Sequence, residues 1–201
     1  MNLSAVLIIL VQLSQGIISM DFDFSTRPGS VEITPSAIGN GEYHSTAIPG
    51  FQSSSDGIIP PGAPALPHLS RSFLLPPGTA ADSVIINSET WVRIPGFFAL
   101  QPRQFDTFDK NRLISPDPAF YSSSEPFPPE PVAISRQGSA MGYQVVTLFG
   151  YPLRYTPSSG ELEVLTSISV SLKTSPSTAY TAVPLRESIF SSNLRLRGIE
   201  S

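Results

Sequence analysis

Two histidines, two nearby glutamates, one acidic hexapeptide and one glycine-flanked serine are the residues of this chain whose types could do chemistry. A histidine becomes a metal ligand or general base only with partners at the right spacing. His44 and His68 have neither a second histidine nor a carboxylate at ligand spacing, and His68 sits in the turn Leu66-Pro67-His68-Leu69, so both read as structural or surface groups. Asp106-Thr107-Phe108-Asp109-Lys110-Asn111 has a trace of calcium-loop spacing. It lacks the glycine at the sixth position and the terminal glutamate, and Lys110 puts a positive charge among the would-be ligands. Glu125 and Glu130 lie on a proline-rich segment with nothing to set their separation, so a glycosidase pair is unsupported. No serine occupies a Gly-x-Ser-x-Gly elbow, and Gly138-Ser139-Ala140-Met141-Gly142 reads as a turn before a strand. Cysteine is absent, which excludes disulfides, thiolate zinc sites, lipidation at a lipobox cysteine and a cysteine nucleophile in this chain. No catalytic residue, metal site or cofactor is expected.

The elements that carry these residues follow from composition. A chain of 201 residues has room for one domain with a core, plus tails. Hydrophobic residues make up 40% and charged residues 14%, while 21 prolines and 14 glycines disfavour long helices and suit short strands joined by turns. The formal charge is −4 and the twelve basic residues are scattered, so no nucleic-acid partner is expected. Residues 5–11, Ala-Val-Leu-Ile-Ile-Leu-Val, are too short a run to span a bilayer, and small residues follow. Residues 1–19 therefore read as a signal peptide cut between Gly16 and Met20, although no Lys or Arg precedes Arg27. A secreted, periplasmic or cell-surface protein is expected, with no stable membrane insertion.

Residues 20–39 read as a partly ordered segment with a short edge strand at Ser30–Thr34, ended by Pro35. Tyr43–Ile48 is a second strand candidate, after the turn signal Gly39-Asn40-Gly41. Phe73-Leu74-Leu75 stops at Pro76-Pro77-Gly78, and Ser83–Ile94 reads as a strand buried on both faces. Residues 95–131 carry eight prolines and read as a long irregular loop. Tyr143–Tyr151 alternates, and after the turn at Thr156–Gly160 so do Leu162, Val164, Thr166, Ile168, Val170 and Leu172, with Leu165 the one break. The two runs predict a hairpin with one dry and one wet face. Trp91, Phe97 and Phe98 read as core or contact aromatics, with a sugar-stacking platform as the alternative. The architecture expected is all-β: a single antiparallel sandwich over 40–174, jelly-roll-like, with long irregular loops and flexible ends, and a linker over 175–201.

Two passages resemble the propeptide domain found ahead of gingipain-type (clan CD) cysteine peptidases. One is Gly62-Ala63-Pro64-Ala65-Leu66-Pro67 followed by Leu75-Pro76-Pro77-Gly78, with Tyr43–Gly50 similar to the short strand before it. The other includes Pro126-Phe127-Pro128, Gly142-Tyr143-Gln144-Val145-Val146, Tyr151-Pro152-Leu153-Arg154-Tyr155-Thr156-Pro157 and Gly160-Glu161-Leu162. Thr156 stands where the family usually has asparagine, and Met141 where it often has arginine. The resemblance covers about residues 40–173. It implies an intramolecular chaperone and inhibitor of a cognate peptidase, in cis or in trans, that is not itself an enzyme. It further implies a basic loop residue filling the peptidase's specificity pocket, for which Lys110, Arg112 and Arg103 are the candidates. Two alternatives stand beside it: the N-terminal part of a full cysteine endopeptidase precursor, and a standalone secreted β-sandwich for adhesion or carbohydrate binding.

Overall fold

The computed structural model describes residues 16–20, 26–53, 59–76, 78–104, 113–140 and 143–177. In chain order these form β1 (Ile17–Met20), β2 (Glu32–Ile38), β3 (Gly41–Ala47), β4 (Leu69–Leu75), β5 (Thr79–Ile94), a one-turn helix α1 (Pro118–Tyr121), β6 (Val132–Ala140), β7 (Tyr143–Gly150), β8 (Leu153–Thr156) and β9 (Glu161–Pro176). One sheet runs β1-β9-β5, with β8 also on β9; another runs β4-β7-β6; β2 and β3 make a separate ribbon. Every strand pairing is antiparallel. The fold is all-β.

Two apolar clusters hold the layers together. In the first, Leu75, Val132, Val146 and Leu148 from the three-stranded sheet meet Ile18, Ala81, Leu165, Val170 and Leu172 from the other. In the second, Phe149, Tyr151, Leu153, Tyr155, Leu162 and Val164 close over the loop residues Ile48, Ile59, Ala63, Leu66 and Leu100. Burying a large apolar side chain is worth about 1.5–3 kcal/mol, so these clusters dominate the stability.

The pairing departs from the sequence pattern in specific places. The run before the 156–160 turn is not the hairpin partner of β9. The chain leaves β7 at Gly150, and Tyr151 donates its N–H to the Pro131 carbonyl (2.7 Å). Pro152 has no N–H to continue a ladder, and its carbonyl accepts from Leu165 N (2.8 Å). Only the short β8 pairs with β9, while β7 lies in the opposite sheet between β4 and β6. β2 runs through Pro35 to Ile38 and pairs with β3 across 39/40, so that expected boundary cuts a hairpin. Proline is tolerated there because an edge strand has one unpaired side. β5 is not buried on both faces: Asn87, Ser88, Glu89 and Thr90 are exposed. Ile17, Ile18 and Ser19, expected in the signal peptide, pair with Lys173, Leu172 and Ser171, and Ile18 is buried in the first cluster.

Candidate functional site

The basic residues singled out from the 95–131 stretch sit on, or next to, a loop whose stem is built with care. Its foundation is the buried run Gly62-Ala63-Pro64-Ala65-Leu66-Pro67. Prolines remove donors from this irregular backbone, so fewer amides need partners inside the protein. Those that remain include Gly62 N, which donates to the Arg103 carbonyl (3.0 Å), and Ala65 N, which donates to the Gln101 carbonyl (2.9 Å), while Arg103 N donates back to the Ala63 carbonyl (2.7 Å). Gly62 lies at φ +88°, and a Cβ there would come within 3.2 Å of Asp117 Cβ and 3.3 Å of the Ser115 carbonyl oxygen, so only glycine fits.

Arg103 faces inward. It is 9% exposed, and its guanidinium donates to the Ile59 carbonyl. This side chain, one of the three candidate plugs, is part of the scaffold in this conformation. A buried guanidinium needs acceptors for its donors, and the Ile59 carbonyl supplies one of them.

Gln104 then ties the loop shut. Its Nε2 donates to the Ile114 carbonyl (3.0 Å) and to the Pro102 carbonyl (2.9 Å), while its Oε1 accepts from Ile114 N (2.8 Å). One side-chain amide thus does the work of a strand partner. The return limb is fixed by Asp117, which caps α1 through Oδ1 to Ala119 N (2.9 Å) and bonds Gly62 through its own N–H. The Tyr121 hydroxyl donates to the Leu100 carbonyl (2.8 Å). Lys110 and Arg112 lie in 105–112, outside the described residues.

Gln104 has no signature in the sequence, because nothing in its spacing separates it from a surface glutamine. Gln104→Ala would leave the Ile114 N–H and C=O without these partners, a loss of about 1–3 kcal/mol at the stem. Trypsin should therefore cut after Lys110 or Arg112 roughly tenfold faster or more in the variant, read by mass spectrometry of the first fragments, with global unfolding changed less.

Tyrosines surround the stem. Burial pushes the Tyr151 hydroxyl up to about 12, with the Arg103 charge pulling the other way. Burial also raises Tyr121 and Tyr155. The stabilisation these groups contribute is complete below the unfolded value of about 10, and for Tyr151 it is lost as pH climbs from there to about 12. The urea midpoint should hold below pH 10 and fall across that window, together with the rise of tyrosinate absorbance.

The other candidates are absorbed by packing. His44 Nδ1 accepts from Ala99 N (3.3 Å), and its ring meets Phe98 edge-on at 5.7 Å. His68 is buried, with its ring 4.6 Å from Phe149. Trp91 packs against the first cluster, and the Arg154 guanidinium lies 4.4 Å from its ring centroid. Arg154 is held there by Glu163 at 2.6 Å. The Arg154 guanidinium thus occupies the part of the Trp91 ring where a sugar would have to stack. Phe97 is 71% exposed and lies over Gly160, where a Cβ would be 2.5 Å from its ring. Ser139 Oγ accepts from Gln144 Nε2 (3.2 Å). Among the described residues, no group of three or more His, Asp or Glu could hold a metal ion.

No family model matches the chain, and no curated protein matches it either. Solved structures do. It is similar to a chain in the complex of the Porphyromonas gingivalis RgpB pro- and mature domains, with a TM-score of 0.68 and 17% identity, over 92% of this chain and 91% of that one. It is also similar to gingipain K of Porphyromonas gingivalis, in a structure describing its zymogenic latency, with a TM-score of 0.58 and 22% identity over 72% and 81% of the two chains. The fold is gingipain-propeptide-like. At these identities the likeness is one of fold. The gingipain-propeptide-like chain has no cysteine and so is not itself a cysteine peptidase. Among its described residues, no helix is long and apolar enough to cross a membrane.

Proposed function

We propose that this chain is the pro-segment of an exported gingipain-like cysteine peptidase, and that it blocks the peptidase's cleft with the 105–112 loop, Lys110 or Arg112 entering the specificity pocket. The observation that carries this reading is the fold match over nearly the whole of both chains to a complex of pro- and mature domains. The pinned stem supports it. Binding costs less when fewer residues must be ordered, and Arg103, Gln104 and Asp117 already hold the two limbs that flank 105–112. A basic side chain from such a loop suits a pocket that accepts Arg or Lys, because the charged partner in the pocket is otherwise desolvated without compensation.

Export follows from the apolar run at 5–11. Cleavage after Gly16, with Ser14 and Gly16 as the small residues, keeps β1 whole, whereas cleavage after Ser19 would remove three of its four residues. N-terminal sequencing of the exported chain should therefore begin at Ile17; a start at Met20 would show that β1 is dispensable.

The test of the main reading is inhibition of a cognate Arg- or Lys-specific peptidase by the exported chain, expected in the nanomolar-to-micromolar range. The double variant Lys110→Ala/Arg112→Ala should lose roughly a hundredfold or more in potency, as hot-spot charges do at interfaces, with its thermal midpoint unchanged. Equal inhibition by the double variant would remove the loop from the mechanism. No inhibition by either protein would remove the pro-segment reading itself.

A further inference from the structure

The two layers of the sandwich meet along one side without a shared ladder. Among the described residues, β5 ends one sheet and β6 ends the other, so each presents an edge. At one point a side chain joins them: Ala81 N donates to Gln137 Oε1 (2.8 Å), and Gln137 Nε2 donates to the Ala81 carbonyl (3.1 Å). Past this tie lies an open groove of about 610 Å³. Val84 and Ile86 line one side, Val132 and Ile134 the other, and Asp82 and Glu130 line it too, with Asp82 Oδ1 accepting from Ser175 Oγ (2.7 Å). Val84, Ile86 and Ile134 are half-buried and pack against the first apolar cluster, so the groove bares the flank of the core. Among the described residues neither carboxylate has an ion pair. Unpaired strand edges beside apolar side chains are what an added extended segment requires.

We propose that this groove is the dock for the chain's own continuation, with residues 182–187 laid along the edge of β5 and Arg186 set against Glu130. Three observations carry this. First, β9 delivers the chain to the place: Thr79 pairs with Pro176, and Ser177 N donates to the Gly78 carbonyl (2.8 Å). From Gly78 to Asp82 along β5 is about 13 Å at ~3.3 Å per residue, so a segment leaving Ser177 reaches the groove by about residue 182. Second, the charges are complementary. Residues 178–201 hold Arg186, Arg195 and Arg197 against Glu187 and Glu200, and the groove is acidic. Third, Thr181-Ala182-Val183-Pro184-Leu185-Arg186 offers small and apolar side chains to the four aliphatic residues. Pro184 is compatible with an outermost strand, which needs only alternate N–H groups. The inference is independent of the peptidase reading, since it concerns only this chain.

The absence of cysteine makes the test direct. Ser83→Cys, on the exposed part of β5, is combined in the full chain with single cysteines scanned through 181–188, and each double variant is oxidised mildly. Disulfide formation demands Cα atoms within about 7 Å. Intramolecular bonds should form at alternate positions around 182–184, at least several-fold above the remaining positions. Arg186→Glu should lower the yield several-fold, and Glu130→Arg in that background should restore it. Uniformly low yields, or bonds only between molecules, would overturn the proposal, the latter pointing to a second copy in the groove. An effect of Arg186→Glu that Glu130→Arg does not rescue would overturn the assigned register.

Discussion

Leu165→Ala will lower the unfolding free energy by about 2–5 kcal/mol. In a chain of this size that corresponds to roughly 2–4 °C of thermal midpoint for each kcal/mol. The sequence pattern would forecast almost nothing, because Leu165 falls on the face shared with Glu161, Glu163, Ser167 and Ser169. In the folded chain it is fully buried in the first cluster. The reason is a register shift. Thr90 opposes Ser167 and Trp91 opposes Leu165, so Thr166 is an extra residue in β9. An extra residue reverses which side chains face which layer. Before it, Leu162 and Val164 enter the second cluster; after it, Val170 and Leu172 enter the first, together with Leu165. Ser167→Ala, two residues on and exposed, should stay within about 0.5 kcal/mol. Urea denaturation of the two variants, compared at equal m-value, checks both figures, and similar midpoints would mean that the shift is absent.

The second large effect separates scaffold from plug. Arg103→Ala should destabilise the fold by about 2–4 kcal/mol, combining a lost charged hydrogen bond with the gap left by a buried side chain. It should also move the Tyr151 hydroxyl still higher, because the Arg103 charge is what opposes burial there. Arg112→Ala and Lys110→Ala should leave stability unchanged and act only on inhibition. Thermal melts and a tyrosine titration of the three variants make the comparison. If Arg103→Ala melts like the parent protein while losing inhibition, Arg103 belongs to the contact surface and not to the stem.

Much of the strand inventory was legible because a period of two is a local property. β3, β4, β7 and β9 begin or end within a few residues of the alternating runs and turn signals. The identity of the partners was not legible. The turn at Thr156–Gly160 is a real hairpin turn, but it joins β9 to the four-residue β8 and not to the longer run before it. Pro152 follows directly on the alternating run, yet nothing local says that the chain on its far side has changed layer. Likewise Arg103 and Gln104 are adjacent polar residues in a loop, and only the folded chain shows that one supports Ile59 from inside while the other clamps Ile114.

Composition and pattern alone determined that this chain folds into antiparallel strands, that it holds no cysteine chemistry, and that its long central loop carries basic residues between prolines. Side-chain period, turn residues and residue inventory depend on neighbours within a few positions, so they can be read in one dimension. The tertiary structure decided which strands share a sheet, which leucine of β9 enters which cluster, and which arginine is buried. Those outcomes depend on contacts between residues far apart in the chain, such as Trp91 with Leu165 and Ala81 with Gln137. Their energies are settled only when the layers close.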